Sequence, residues 1–328
     1  MNVKNELLKA LALSGGSFVS GAELAETLGV SRNAVWKAVK SLLTDGYSIE
    51  SVAAKGYRLA KDNNRLSAEI ISASMKSVPS DGQIIVLNEV DSTNSFAKKL
   101  ASEGAPHGTA VIADMQTGGK GRLGRKFVSP SGKGIYLSVV IRPTFGIELA
   151  PMITSAAAVA AAKAVEMLSD ADVKIKWVND LYMNGRKICG ILTEASISPK
   201  MKHLEYAVIG IGINVRSVRD DFDDELKSIA TSIEDETGKR IDRNTLCGAV
   251  LDSLEEVLGS MENKSFLSDY RRRELLTGNM ITANIGGVTR TGKALGIDNN
   301  SNLIVQFPDG TIKNLRSGEA NLCRIAKK

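Results

Sequence analysis

The first sixty residues show helical spacing of apolar positions, followed by strand-like alternation. Apolar residues recur every three to four positions in segments 2–13, 20–29 and 31–46. Ser20 and Ser31 stand at the starts of the second and third segments, where N-cap residues are favoured. Segment 47–59 alternates around a turn at Lys55-Gly56, as a β-hairpin does. This order of elements predicts a winged helix-turn-helix unit over residues 1–62.

Strand-like and helix-like segments alternate through residues 63–275. Strands are predicted at 84–90, 108–114, 135–143, 173–180 and 204–215, and helices at 91–104, 148–168, 244–261 and 266–275. Segment 181–194 contains Asn-Gly between two apolar runs, which is a strong hairpin signal. Because adjacent hairpins pair their strands antiparallel, we expect a mixed sheet, with helices on one side of it.

The C-terminal segment alternates again, with frequent turns. Residues 281–315 include an Asp-Gly turn and predict a small β-barrel within a unit spanning 276–328. The fold class is therefore multidomain α+β. It comprises a winged helix-turn-helix, a central mixed sheet with helices over 63–275, and a small C-terminal barrel.

Composition narrows the class of protein. The chain has 328 residues, 43% of them hydrophobic, and a net charge of +5, which is compatible with an anionic partner. Its three cysteines are far apart, which favours reduced thiols in a cytoplasmic protein over a disulfide framework or a zinc site. The apolar stretch 152–165 is interrupted by Lys163 and predicts a buried helix, so no membrane association is expected.

A glycine-rich loop at 118–127 contains the spacing G-x-G-x-x-G. In a dinucleotide-binding fold this pattern would open a helix, but 125–134 has the proline, glycines and serines of a loop. Four cations fall within seven residues of it: Lys120, Arg122, Arg125 and Lys126. Interleaved glycines and cations favour a loop that closes on an anionic ligand.

The third predicted helix has the charge expected of a DNA-recognition helix. The N-terminal residues of such a helix reach base edges, and flanking cations contact phosphates. We therefore expect Ser31, Arg32 and Asn33 to contact bases, and Lys37 and the wing residue Lys55 to contact phosphates.

Polar residues on the central strands supply the remaining candidate chemistry. Asn179, Asp180 and Asn214 stand at predicted strand ends, and Lys187 can point the opposite way from Ile188 in the predicted hairpin. The sequence offers no credible Ser-His-Asp set or metal cluster. The residues instead favour positioning and charge stabilisation, which suits the joining of a carboxylate to AMP.

Five ordered motifs resemble those of biotin–protein ligases, specifically the bifunctional ligases that also repress the biotin operon. They are Asp91-Ser92-Thr93-Asn94, 119–127, 176–180, 186–194 and 210–214. The resemblance covers nearly the whole chain and implies a class II synthetase-like ligase domain. Three positions depart from the family pattern, at Lys120, Val178 and Phe127.

The resemblance also implies a role for each matched residue. Biotin would contact Ser92, Thr93, Asn94, Gln116, Gly119, Lys120, Gly121, Arg122 and Lys187. ATP would contact Arg122, Arg125, Phe127, Asn179, Asp180 and Asn214. Lys187, Arg122 and Arg125 would be catalytic, Asp180 would hold Mg²⁺, and the tail residues Arg316, Gly318 and Glu319 would close over ATP or the acceptor.

The implied reaction converts biotin and ATP to biotinoyl-5'-AMP and pyrophosphate. The biotinoyl group then passes to a lysine on the biotin carboxyl carrier domain of acetyl-CoA carboxylase. The adenylate would also act as corepressor, promoting a homodimer that binds operator DNA.

Two other functions are compatible with parts of the sequence. A lipoate– or octanoate–protein ligase would leave polar Ser92, Thr93 and Gln116 without a ureido group to bind, and labelled biotin and lipoate would distinguish the two. A non-enzymatic vitamin sensor would have no use for a phosphate clamp, and biotin-driven pyrophosphate exchange would distinguish it from a ligase.

Overall fold

The computed structural model describes residues 2–61, 63–76, 82–197, 203–285 and 287–323. Its N-terminal part is a winged helix-turn-helix, as predicted. The elements are α1 (Val3–Leu13), α2 (Gly21–Thr27), α3 (Arg32–Thr44), β1 (Ile49–Val52) and β2 (Gly56–Leu59). Ser20 and Ser31 cap α2 and α3, each accepting a backbone N–H at 3.1 Å. Val35, Val39 and Leu42 are buried in the small core that joins these helices.

A short helix, α4 (Ala68–Ser74), connects this unit to the rest of the chain. Its neighbouring residues Ile70 and Ile71 project in different directions, because successive helical residues are about 100° apart. Ile70 packs into the winged-helix core, and Ile71 packs into the main core. The two cores therefore meet on this one helix.

Among the described residues, the central sheet has seven strands and is mixed, as predicted. The strands are β3 (Ile84–Val90), β4 (Ala110–Gln116), β5 (Gly134–Ile141), β6 (Lys174–Lys176), β7 (Asp180–Met183), β8 (Arg186–Ile197) and β9 (Leu204–Asn214). Their spatial order is β3-β4-β5-β9-β8-β7-β6, and only β3 and β4 pair in parallel. Since β4 pairs antiparallel with β5, the glycine loop between them joins antiparallel neighbours and is not part of a dinucleotide-binding crossover.

The helices lie on both faces of this sheet, so the prediction of one-sided helices is wrong. They are α5 (Thr93–Ser102), α6 (Ile153–Ser169), α7 (Asp224–Ile229), α8 (Ile233–Thr237), α9 (Arg243–Gly259) and α10 (Phe266–Arg273). The apolar residues of α6 and α9 pack in the main core with Ile209, whereas Ala97 and Ala101 of α5 pack with Val208. Because Val208 and Ile209 are adjacent on one strand, their side chains point to opposite faces.

The strand predicted at 173–180 is also divided in the structure. It ends at Lys176, and the chain turns back so that Lys176 pairs with Asp180 at the start of β7. Asn179 therefore lies in the turn, and Asp180 opens a strand instead of ending one. The buried Trp177 in this turn donates its indole N–H to the carbonyl of Ser301 at 2.9 Å, which ties the turn to the C-terminal unit.

The C-terminal unit is β structure, as predicted, and its described strands form a five-stranded antiparallel sheet. Its strands are β10 (Met280–Ile285), β11 (Val288–Ile297), β12 (Leu303–Gln306), β13 (Ile312–Leu315) and β14 (Ala320–Leu322). Because the two end strands of this sheet do not pair with each other, the pairings do not close it into the predicted barrel. Among the described residues, Ile147–Ser169 meets the length and hydropathy expected of a membrane span, but 72% of its most apolar window is buried in the fold. It contains α6, which the sequence predicts to be a core helix.

Candidate active site and DNA interface

A cavity of about 470 Å³ lies beside the start of β8 and the end of β9. The loop after β4 forms one wall through residues 120–122 and 125–128, and residues 318–321 form another. Phe222, Leu226 and Ile229, in and before α7, add apolar surface. The cavity therefore combines cationic, polar and apolar walls, as a site for an anion attached to organic rings requires.

A chain of hydrogen bonds fixes the polar side chains that follow β3 and β4. Gln116 Oε1 accepts from the Thr93 backbone N–H at 2.8 Å and from its hydroxyl at 3.0 Å. Gln116 Nε2 donates to the Ser129 hydroxyl at 2.9 Å. Ser138 Oγ, fully buried on β5, lies 2.8 Å from Thr93 Oγ1 and 2.7 Å from Asn94 Oδ1. These groups are thus held in position without a ligand.

Two neighbouring residues complete this polar group. Ser92 is the N-cap of α5, is 1% exposed and lines the cavity. Asn94 donates to Glu194 at 2.9 Å, and Glu194 also pairs with Lys98 at 2.6 Å. Burial alone would raise the pKa of Glu194, but hydrogen bonds from Lys98 and Asn94 outweigh it and lower that pKa. Glu194 therefore stays ionised and orients the Asn94 amide.

The glycines of the motif at 210–214 allow two other side chains to approach β9. A Cβ at Gly210 would lie 2.1 Å from Asn94 Oδ1, and one at Gly212 would lie 2.4 Å from Phe127 Cζ. Phe127 also meets Tyr136 edge-on, with the ring centroids 6.4 Å apart. The spacing G-x-G therefore follows from alternation along the strand, since residues 210 and 212 face the cavity side together.

Four cations of the cavity each contact a group of the protein itself. Lys120 donates to Ser95 Oγ at 2.7 Å, and Arg122 donates to Asn179 Oδ1 at 2.8 Å and to the Gly318 carbonyl at 3.1 Å. Arg125 pairs with Glu319 at 2.6 Å, and Lys187 pairs with Asp180 at 2.8 Å. Each of these four side chains therefore has a partner within the protein.

Two further residues of the cavity bear on its chemistry. Lys176 lines it, and burial lowers the pKa of this lysine. The nearby Asp180 carboxylate acts in the opposite direction but does not outweigh burial. Cys189 also lines it, but burial raises the pKa of the thiol, so the sulfur remains protonated and is a poor nucleophile.

All but one of the residues predicted to contact biotin or ATP line this cavity. They are Ser92, Thr93, Asn94, Gln116, Lys120, Gly121, Arg122, Arg125, Phe127, Asn179, Asp180, Lys187 and Asn214. Gly119 does not line it, because this residue packs beneath the loop, where a Cβ would lie 2.3 Å from the Phe127 carbonyl oxygen. Of the predicted tail residues, Gly318 and Glu319 line the cavity, and Arg316 is exposed outside it.

The sequence analysis missed Lys176, Trp177 and the apolar wall from α7. Lys176 lies inside a quoted motif, so its polar side chain on a buried strand was a usable signal. Phe222, Leu226 and Ile229 lie in an acidic stretch with only one short helix, where no periodic pattern marks them.

The residues predicted to contact DNA lie on the exposed side of α3 and in the wing. Arg32, Asn33, Lys37 and Lys55 are exposed, and Ser31 is exposed although its hydroxyl caps α3. Trp36, 46% exposed, stands among them with Lys40 Nζ 4.0 Å from its ring centroid. This surface combines cations with an aromatic side chain, a pairing suited to nucleic acid.

Comparison with known proteins finds relatives that combine a biotin ligase domain with a helix-turn-helix domain in one chain. Residues 86–214 match the model of the biotin/lipoate A/B protein ligase family, and residues 4–58 match that of an HTH domain. The chain is 35% identical to the bifunctional ligase/repressor BirA of Bacillus subtilis over 98% of each chain. It is 33% identical to BirA of Escherichia coli, again over 98% of each.

A solved structure has a similar fold over the part of this chain that it covers. The biotin protein ligase from Aquifex aeolicus in complex with biotin and ATP superposes with a TM-score of 0.61 and 30% identity. That comparison covers 74% of this chain and 98% of the Aquifex chain.

Proposed function

Because the chain belongs to the family of bifunctional biotin–protein ligases and biotin-operon repressors, we propose that it activates biotin as biotinoyl-5'-AMP and transfers the biotinoyl group to a lysine of a biotin carboxyl carrier domain. The observation that carries this proposal is one cavity that brings the fixed polar group together with Lys120, Arg122, Arg125 and Lys187. Ser92, Thr93 and Gln116 would hydrogen-bond the ureido group of biotin. A lipoyl or octanoyl chain has no ureido group with which these side chains could exchange hydrogen bonds.

The cavity cations perform the charge stabilisation that adenylation needs. The biotin carboxylate and the α-phosphate repel each other, and Lys187 Nζ would lie between them in place of its contact with Asp180. Arg122 and Arg125 would exchange Asn179 and Glu319 for phosphate oxygens. Preorganised donors of this kind are worth about 2.7–4 kcal/mol each in the transition state.

The nucleotide would occupy the part of the cavity near Phe127 and the apolar wall. Phe127 presents a ring for stacking, while Asn179 and Asn214 position the nucleotide through their amides. Asn214 Nδ2 is already fixed by the Thr231 carbonyl at 2.9 Å. The apolar residues Leu226 and Ile229 would cover the base and exclude water from the mixed anhydride.

Magnesium fits this arrangement through Asp180. Mg²⁺ is usually held by one or two carboxylates together with substrate phosphates. Asp180 Oδ1 is buried and, apart from its ion pair with Lys187, has no hydrogen-bond partner among the described residues. When bound, the ion would offset the charge of the ATP phosphates.

The second half-reaction consumes the adenylate without a covalent enzyme intermediate. The ε-amine of the carrier lysine attacks the biotinoyl carbonyl, the C–O bond to AMP breaks, and an amide forms. Lys187 would stabilise the developing oxyanion and then the phosphate of the leaving AMP. This step needs no nucleophile from the enzyme, in keeping with the protonated Cys189 thiol.

The winged helix-turn-helix gives the second activity, repression at operator DNA. Ser31, Arg32 and Asn33 would read bases, and Lys37 and Lys55 would contact phosphates. Biotinoyl-AMP would act as corepressor by favouring a homodimer that reads two half-sites. The functional units would be 1–62, 63–275 and 276–328, and the free cysteines suit a cytoplasmic location.

The ligase activity is tested by incubating the protein with biotin, ATP, Mg²⁺ and an apo carrier domain. We expect the carrier to gain the mass of one biotinoyl group on one lysine. No mass gain with biotin, or an equal gain with lipoate, would refute the assignment.

A further inference from the structure

A second cavity, of about 430 Å³, lies where the segment after the winged helix meets the central sheet. Its lining includes Asn64, Lys133, Arg216, Glu234 and Arg240. None of its lining residues belongs to the biotin and ATP cavity. It therefore holds a separate set of charged groups, with three cations to one carboxylate.

Arg216 is the unusual member of this set. It is 9% exposed, and its Nη1 is buried without a hydrogen-bond partner among the described residues. The recorded ion pairs of its carboxylate neighbours involve other cations. A buried guanidinium nitrogen without a hydrogen-bond partner is costly, because its desolvation is not offset by a hydrogen bond.

The carboxylates near Arg216 are already engaged elsewhere. Glu234 Oε1 pairs with Arg240 Nε at 3.2 Å, and Glu234 Oε2 accepts the Ser217 backbone N–H at 3.2 Å. Asp242 Oδ1 accepts the Thr245 backbone N–H at 2.7 Å as the N-cap of α9. Burial, first, and the neighbouring Arg240 lower the pKa of Arg216, and the attraction of Glu234 and Asp242 does not reverse this.

We propose that this cavity binds a small divalent oxyanion of the phosphate class, with Arg216 as its principal ligand and Lys133 and Arg240 as flanking cations. A guanidinium presents donors in a fork that matches two oxygens of such an anion. Lys133 and Arg240 retain partial exposure and can turn toward the cavity, whereas Arg216 is already held there. The anion supplies the acceptor that Arg216 lacks.

The position of the site connects the two functional parts of the chain. Asn64, in the segment that follows the winged helix, donates to the Gly132 carbonyl at 3.1 Å and accepts from Arg243 Nε at 2.9 Å. Arg216 follows Asn214 of the biotin and ATP cavity by two residues, and its backbone N–H donates to the Lys133 carbonyl at 2.8 Å. Occupancy would therefore stiffen the joint between DNA binding and catalysis.

Thermal unfolding of the full chain in inorganic phosphate tests the site. The variant is Arg216→Met, and Arg272→Met is the matched control because it makes the same change at an exposed arginine that lines neither cavity. At a phosphate concentration ten times the dissociation constant, mass action predicts a rise of roughly 3 °C in the Tm of the wild type. We expect Arg272→Met to keep this rise and Arg216→Met to lose it, at matched ionic strength.

The Tm without phosphate is a second readout, and we expect it to rise in the variant, whereas ordinary loss of a contact would lower it. In chloride-free buffer without phosphate, Arg216→Met should have a higher Tm than the wild type, because it removes a buried unpaired charge. Phosphate raising the Tm of Arg216→Met as much as that of the wild type would overturn the proposal, as would a lower Tm of this variant without phosphate. Dependence on Arg216 of duplex DNA binding alone, with no response to inorganic phosphate, would also overturn it.

Discussion

Cations of the biotin and ATP cavity and cations of the helix-turn-helix differ in whether the protein itself supplies their partners. Of the cations that line the biotin and ATP cavity, four each contact an oxygen atom of the protein in this way, as Lys187 contacts Asp180 at 2.8 Å. By contrast, Arg32, Lys37 and Lys55 are exposed and form no recorded ion pair with the described residues.

Solvent access explains the contact of Lys187, whose side chain is 26% exposed, since an unpaired buried charge is costly. Lys120 and Arg125 are exposed, so burial does not require their contacts. A cation on an open surface is solvated by water and mobile counterions, which DNA releases on binding. Under the proposed function, the first arrangement would provide preorganised transition-state contacts, and the second would provide salt-dependent affinity.

Substitution of Lys187 is expected to have the largest effect on the proposed charge stabilisation in the cavity. Lys187→Met removes the charge that would bridge the carboxylate and the α-phosphate. We expect the rate of carrier biotinylation to fall by about 10²–10³-fold, the loss typical of one oxyanion-stabilising donor. The measurement is single-turnover transfer of labelled biotin. A rate within threefold of wild type would remove Lys187 from the proposed chemistry.

Arg122 tests retention of the intermediate. Arg122→Gly removes donors now used on Asn179 and Gly318, and hydrogen bonds from a charged group are worth about 1.5–3 kcal/mol. We expect adenylate dissociation to be faster by roughly 10–100-fold, with a smaller loss in biotin affinity. Stopped-flow release of labelled adenylate measures this, and an unchanged off-rate would contradict the assigned role.

Gly212 tests the packing of the Phe127 ring against β9. Gly212→Ala places a Cβ 2.4 Å from Phe127 Cζ, so the ring must move. Overpacking of this kind costs about 1–3 kcal/mol, and we expect the KM for ATP to rise by roughly 5–100-fold. Gly259→Ala is the control, because nothing lies within 4 Å of that Cβ position. Equal KM values in the two variants would show that the ring does not support nucleotide binding.

Lys37 tests the open-surface half of the comparison. Lys37→Ala should weaken operator binding by about 3–10-fold and reduce the slope of log affinity against log salt by about 1. Carrier biotinylation should be unchanged, in contrast to Lys187→Met. Fluorescence anisotropy at several salt concentrations measures the slope, and an unaltered slope would exclude a phosphate contact.

Local signals allowed much of the fold to be predicted from the sequence. Ser20, Ser31 and the Asn-Gly turn after β7 act within a few residues, so their elements were found in place. The placement of α5 on the opposite face depends on Ala97 and Ala101 meeting Val208, which lies more than a hundred residues away. No local pattern contains that contact.

Residues of the biotin and ATP cavity could be predicted from the sequence where they lie in the recognised motifs. Asp180 and Lys187 lie in different motifs, and strand pairing brings them to 2.8 Å. The reasons for Gly210 and Gly212 were not accessible, because they depend on Asn94 and Phe127 arriving from other elements. Arg216 was missed for the same reason, since its burial is set by packing and not by its neighbours in the chain.

Biotin-dependent exchange of labelled pyrophosphate into ATP is the most direct test of the central claim that one cavity holds both the vitamin and the phosphate clamp. The account predicts exchange by the wild type when biotin is present, little without it, and none stimulated by lipoate. Exchange that is indifferent to biotin, or absent in its presence, would contradict the account.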